Sequence, residues 1–156
     1  MEIRKALEFD ALKIAALGMC VWVDTYATEG VDDKIARFIF SEFTEEKLLK
    51  SIKSKTVFVS SSNGSLLGYL VLGLDNGTKI EIETLYVLPK CQRAGVGKKL
   101  LEQVLKSQAK TFWLSTWELN RQAIAFYSKL GFKETGELYF DLSGDKIRNI
   151  VLEITT

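Results

Sequence analysis

A chain of 156 residues, 47% hydrophobic and 26% charged, has the composition of one soluble globular domain, residues 1–156, that buries roughly two-thirds of its unfolded surface without disulfide or metal staples. Its net charge of +1, from 21 Lys and Arg against 20 Asp and Glu, provides no electrostatic case for a nucleic-acid partner. It has no histidine and only Cys20 and Cys91, which excludes Ser-His-Asp and Cys-His nucleophilic catalysis, His-ligated metal and a cysteine zinc site.

The first ten residues are charged throughout and lack the apolar segment of a signal peptide, and no run reaches membrane-span length. The cytoplasm, with no membrane partner, is the expected setting. Glu2–Lys5 reads as a short edge strand. Phe9 to Tyr26 carries Leu12, Ala15, Ala16, Met19, Trp22 and Val23 at helical spacing and predicts an amphipathic helix, with Cys20 in its core. Asp32 or Asp33 caps a second helix through Phe40. Thr44, followed by Glu45 and Glu46, opens a third with Leu48, Leu49 and Ile52 inward. The period then changes. Thr56–Ser60, Leu66–Leu74 and Lys79–Leu88 read as strands, joined by turns at Asn63-Gly64 and Asp75-Asn76-Gly77, and predict an antiparallel meander. A glycine-containing turn leads into a helix over Gly95–Gln108. Phe112–Thr116 is a strand and Asn120–Leu130 a helix, with Gly131 at the left-handed stop. Phe132–Leu142 and Ile147–Ile154 close the chain as a hairpin around Ser143-Gly144-Asp145. Its edge is a candidate surface for a homodimer.

Two segments carry the chemistry. In Gln92-Arg93-Ala94-Gly95-Val96-Gly97 the glycines sit where the chain enters a helix, which suits a phosphate group. Glycines at such a turn also occur for steric reasons alone. The spacing is not that of a Walker A loop, and the third glycine of a dinucleotide fingerprint is missing. In Asn120–Phe132 a capped helix places Tyr127 two turns from Asn120 on one face, with Ala123, Phe126 and Leu130. Asn120 serves there as a cap or as a ligand contact, and the two roles are compatible. A buried tyrosine hydroxyl needs a partner, which a ligand can supply.

Together these segments resemble the GCN5-related N-acetyltransferase (GNAT) superfamily. Leu85 through Leu101 is similar to its acetyl-coenzyme A motif, and Asn120 through Phe132 to its second motif, N-x-x-A-x-x-F-Y-x-x-x-G-F. Trp113–Glu118 and Ile82–Val87, with Asp24-Thr25-Tyr26, look most like the PaiA-type bacterial polyamine acetyltransferases. The resemblance implies an α/β fold of the GNAT type. Its mixed, mostly antiparallel central sheet is flanked by helices, and acetyl-CoA lies in a cleft between two splayed strands. It further implies that the backbone from Arg93 through Ala94, Gly95, Val96 and Gly97 to Lys98 holds the pyrophosphate, with Gln92 beside it. Gly95 and Gly97 would keep a Cβ clear of the phosphate. Leu85, Tyr86 and Val87 would pair with the pantetheine arm as an added strand does, the Val87 N–H would meet the thioester oxygen, and Asn120 would bind the arm.

The implied reaction is direct attack of a primary amine on the thioester in a ternary complex. An alkylamine with a pKa of about 10 must lose a proton first. Glu83, with Glu81 on the same strand face, is the candidate base, and Tyr127 the candidate acid for the leaving thiolate. Cys91 lacks an activating partner and reads as a bystander. Trp22, Tyr26, Glu81, Trp117 and Glu118 are the candidate acceptor contacts. Acidic and aromatic groups together suit a polyamine such as spermidine. A protein, peptide or aminoglycoside amine is the alternative acceptor, and a CoA-binding sensor without catalysis the alternative function. No metal is expected.

Overall fold

The computed structural model describes residues 1–106 and 110–156. In chain order the elements are β1 (Glu2–Lys5), α1 (Ala11–Tyr26), α2 (Asp33–Glu42), α3 (Glu45–Ser54), β2 (Thr56–Ser62), β3 (Ser65–Leu72) and β4 (Lys79–Val87), then α4 (Val96–Leu105), β5 (Thr111–Trp117), α5 (Arg121–Lys129), β6 (Lys133–Leu142) and β7 (Asp145–Thr155). The strands form one mixed sheet in the order β1-β2-β3-β4-β5-β7-β6, antiparallel except for the parallel β4–β5 pair. The predicted meander is β2-β3-β4. Ser107 and Gln108, at the end of the predicted helix from Gly95, lie outside the described residues. Among the described residues no helix is long and apolar enough to cross a membrane.

Side-chain alternation along the strands builds a core on each face of the sheet. On β3, Tyr69 and Val71 face α1, α2 and α3, meeting Ile14, Leu17, Val21, Ile39 and Leu48. Leu70 and Leu72 face the other way, toward Leu100, Leu101 and Val104 of α4 and, across the sheet, Phe112, Leu114, Ile150 and Leu152. The helix starts follow their caps. The Asp32 carboxylate accepts from the Ile35 N–H at 2.9 Å, the Thr44 hydroxyl from Lys47 at 3.2 Å, and the Asn120 side chain from Ala123 at 3.1 Å.

The inner face of α1 differs from the sequence reading. Leu12, Ala16 and Val23 lie on the exposed side, and Cys20 is exposed rather than core. The helix begins at Ala11, after a 3-10 turn that leaves Phe9 outside. Almost every position of α1 is apolar, so periodicity does not select a face. Tight contact does. A Cβ on Gly18 would lie 2.5 Å from the Phe43 ring, so the Gly18 side is the one that meets α2 and the sheet.

Candidate active site

β4 and β5 pair only over Lys79–Glu81 with Thr111–Trp113, and beyond those residues they part. The strand facing the gap is registered by β3. Leu88 N–H donates to the Leu67 carbonyl at 2.9 Å, so ladder alternation turns the N–H groups of Leu85 and Val87 the other way, into the opening. The Val87 carbonyl there accepts from Gln92 Nε2 at 3.2 Å, and Gln92 Oε1 accepts from Gln122 Nε2 at 3.0 Å. Gln92 therefore ties the end of β4 to α5. Gln122 was not a sequence candidate, because nothing local marks a bond across thirty residues.

A β-bulge sits in the same strand. Leu72 pairs with Ile82 and Val71 with Thr84, leaving Glu83 as the extra residue. Strict alternation would put Leu85 and Val87 on the face of Glu81 and Glu83. The bulge resets the parity. Leu85 and Val87 pack with the α4 core, and Tyr86 packs with the α1 core, 5.6 Å from the Tyr69 ring.

At the mouth of the gap the chain makes a 3-10 turn over Pro89–Cys91. Arg93 and Gly95 then adopt left-handed conformations with φ of 64° and 80°. Backbone turned in this way gathers N–H groups into an anion-accepting concavity. The first intrahelical bond of α4 runs from Lys99 N–H to the Gly95 carbonyl at 3.0 Å, so Val96, Gly97 and Lys98 have no helical acceptor for theirs. Ala94 and Lys98 are exposed, and Lys98 lies 3.8 Å from Glu102, while the Val96 side chain is core. Gly97 has an internal reason to lack a side chain. Its Cβ would stand 3.2 Å from Phe126 Cζ, so its smallness lets α4 approach α5.

Across the gap, Asn120 caps α5 with its carbonyl oxygen, and its side-chain nitrogen makes no hydrogen bond to another described residue. Tyr127 is 7% exposed, with its ring 5.2 Å from Phe126 and 5.5 Å from Phe132. Burial pushes its phenol well above the ordinary tyrosine value. Its hydroxyl has no hydrogen-bond partner among the described residues.

The opposite face of β4 carries the acidic and aromatic candidates. Trp22 stacks on Tyr26 at 4.0 Å, Tyr26 on Trp117 of β5 at 5.2 Å, and Phe38 lies 4.2 Å from Trp22. The three predicted aromatics thus form one row from α1 to β5. Phe38 extends it and was missed because nothing local in α2 marks that position as the one that meets Trp22. Burial raises the phenols of Tyr26 and Tyr86. Below the row, Trp22, Phe38, Phe43, Tyr69 and Tyr86 wall a cavity of about 480 Å³, to which Glu83 and Lys55 also contribute. Lys55 Nζ donates to both Glu83 oxygens, at 2.6 and 2.8 Å. Glu81 lies alongside, its carboxyl raised by burial and then by the Glu83 charge, against the pull of Lys55. Gly73 makes room for this pair of acids, since a Cβ there would be 3.0 Å from Glu83 Oε1 and 3.2 Å from Glu81 Cβ. Glu118 stands apart, bound to Arg148 at 2.7 Å, and Arg148 also holds Glu137 at 2.6 Å. Among the described residues no group of three or more His, Cys, Asp or Glu is placed to hold a metal.

The chain is similar to known proteins. A probable N-acetyltransferase of Mycobacterium tuberculosis is 30% identical over 89% of this chain and 83% of its own length. The spermine/spermidine N(1)-acetyltransferase of Bacillus subtilis is 31% identical over 54% of this chain and 62% of its own. The crystal structure of PaiA N-acetyltransferase from Thermoplasma acidophilum in complex with coenzyme A superposes with a TM-score of 0.83. It is 25% identical and covers 99% of this chain and 98% of that one. The pattern described as the acetyltransferase (GNAT) family matches residues 20–132, from the middle of α1 through the splayed strands to the end of α5. The parted parallel pair, the left-handed amide loop at its mouth and this match together place the chain in the acetyltransferase (GNAT) family.

Proposed function

We propose that the protein transfers an acetyl group from acetyl-CoA to a primary amine, with a polyamine such as spermidine as acceptor, by direct attack in a ternary complex. The observation that carries this reading is the gap itself, with an amide loop at its mouth, a strand edge along one side and an acid-aromatic cavity on the sheet face beyond. The N–H groups from Arg93 to Lys98 take the pyrophosphate. The Leu85 and Val87 amides bind the amide-bearing arm, and Val87 N–H meets the thioester oxygen as charge develops there. Because Gln92 occupies the Val87 carbonyl, that edge offers donors rather than a full ladder. The free side-chain nitrogen of Asn120 holds the arm from the other side.

Glu83, with Glu81 beside it, draws the proton from the acceptor amine directly or through water. Tyr127 keeps its proton through neutral pH and offers it to the sulfur as the thiolate leaves. The aromatic row and the paired acids favour a cationic acceptor. The spermine/spermidine acetyltransferase relative points the same way, and the coenzyme A complex of PaiA supports the donor.

The test is free-thiol release from acetyl-CoA with spermidine, spermine, putrescine, lysine peptides and aminoglycosides. Saturable release with the polyamines is the expected result. Saturation by another class replaces the acceptor, and tight CoA binding without release for any amine reduces the protein to a sensor. Absence of CoA binding removes the whole reading.

A further inference from the structure

The cavity wall opposite β4 is one face of α3 and the residue after it. Lys47, Lys50, Ser51, Ser54 and Lys55 recur at helical spacing along that wall. An acceptor site for a polycation should present free carboxylates, yet both carboxylates lining this cavity are already engaged. Glu42 is held by Lys47 at 3.2 Å and Glu83 by Lys55 at 2.6 Å. The Lys55–Glu83 contact is the more complete, because one ammonium reaches both oxygens.

Its geometry is fixed from both ends. Lys55 ends α3, where its N–H donates to the Ser51 carbonyl at 2.9 Å, and leads directly into β2. Glu83 projects from the bulge over Gly73. The side chain of Lys55 therefore reaches from the start of β2, past β3, to β4. A lysine Nζ and the terminal ammonium of an aliphatic polyamine are the same chemical group on the same kind of methylene chain. The contact that would capture such an acceptor is made here by the protein's own side chain.

We propose that Lys55 is a specificity-determining residue that stands in for the acceptor's ammonium on Glu83, so that an acceptor enters by exchanging with it. This rests on the acceptor side assigned above. Exchange favours a ligand with more than one cationic centre, since the ammonium that replaces Lys55 is the one from which Glu83 draws the proton while another meets the aromatic row. It also keeps the Glu83 charge compensated throughout. Both partners keep 29% of their side-chain surface exposed, so each can detach into solvent without burying a bare charge.

A partly exposed ion pair of this kind is worth a factor of about 1.5 to 5 in a competing equilibrium. Lys55→Met should lower KM for spermidine by up to that factor and leave KM for acetyl-CoA unchanged, whereas Lys55→Arg should restore the wild-type KM. A merely structural pair would give an unchanged or raised KM for spermidine in Lys55→Met, and that result overturns the proposal. A second measurement needs no variant. Acylation of Lys55 by a water-soluble amine reagent, read by mass spectrometry against Lys133, should increase when spermidine saturates the protein in the presence of CoA. Labelling that stays constant at saturation also overturns it. If the wild-type protein neither binds nor acetylates any polyamine, the proposed acceptor fails first. If it does both and Lys55 responds in neither experiment, only the exchange fails.

Discussion

Replacing Tyr127 with Phe separates catalysis from packing at a single oxygen atom. The ring of Tyr127 is fixed by Phe126 and Phe132, at 5.2 and 5.5 Å, and phenylalanine preserves both contacts. The hydroxyl has no hydrogen-bond partner among the described residues, so its removal orphans no other group. Unfolding free energy should change by no more than about 0.5 kcal/mol. If Tyr127 supplies the proton to the leaving sulfur, the chemical step should lose about 10²-fold, the lower end of the range for general acids, because burial makes this phenol a reluctant donor. That loss corresponds to about 2.7 kcal/mol of barrier. Single-turnover acetyl transfer to spermidine isolates the step from product release, and calorimetry gives CoA affinity on the same preparation. The expected pattern is a slowed transfer with unchanged melting temperature and CoA affinity. The same upward shift means Tyr127 should add no falling limb to the rate below pH about 10. A single-turnover rate within twofold of wild type would refute the role.

Gly68→Ala should destabilise by about 2–3 kcal/mol, since its Cβ would lie 2.7 Å from the Tyr86 carbonyl oxygen and backbone cannot swing aside. Gly136→Ala, with nothing within 4 Å, should stay within about 0.5 kcal/mol, and equal urea midpoints for the two variants would contradict the clash. Asp10 is fully buried, and burial would raise its carboxyl. The Arg4 hydrogen bond, the Leu7 amide and Lys13 outweigh that and hold it below the usual range. A depressed folded value contributes stability above the unfolded pKa of about 3.9 and loses it as pH falls through the folded one. Asp10→Asn should therefore cost about 2–3 kcal/mol at pH 7 and progressively less as pH falls below about 3.9, and a gap independent of pH would rule this out. Glu118→Gln should change KM for spermidine less than about twofold, because Arg148 already neutralises that carboxylate. A tenfold rise would return Glu118 to the acceptor site.

The meander, the helix order and the turns at Asn63-Gly64 and Asp75-Asn76-Gly77 were legible because local chemistry specifies them. Asn63 and Gly64 have φ of 50° and 78°, and Asn76 accepts from the Thr78 and Lys79 amides as an Asx turn does. The turn over Gln92–Gly97, with Gly95 at a φ of 80°, was legible for the same reason. What sequence could not show depends on distance. The Lys55–Glu83 contact joins residues 28 apart, and Glu118–Arg148 joins residues 30 apart. The aromatic row could be named but not ordered, since Tyr26 and Trp117 meet only after the sheet forms. The inward face of α1 was hidden by an excess of signal, because a helix apolar nearly all round carries no phase. The bulge at Glu83 left no mark in composition, yet it decides which side of β4 each later residue occupies.

A sheet joined at its centre by pairs over Lys79–Glu81 alone is mechanically two plates with a narrow neck. Any tilt between the plates would move everything on the β1–β4 plate, including Glu83 and the aromatic cavity, against the β5–β7 plate, which carries Trp117 and leads into the helix of Tyr127. A molecule that bonds to both free edges supplies the missing rungs and sets the angle between the plates. Donor binding would then do more than deliver an acetyl group. It would fix the spacing between Glu83 and Tyr127, the proposed base and acid, and at a hundred times its dissociation constant it would add about 2.7 kcal/mol to the stability of the protein. The Leu85 and Val87 amides, which have no strand to face in its absence, should be where slowed hydrogen exchange reports that change.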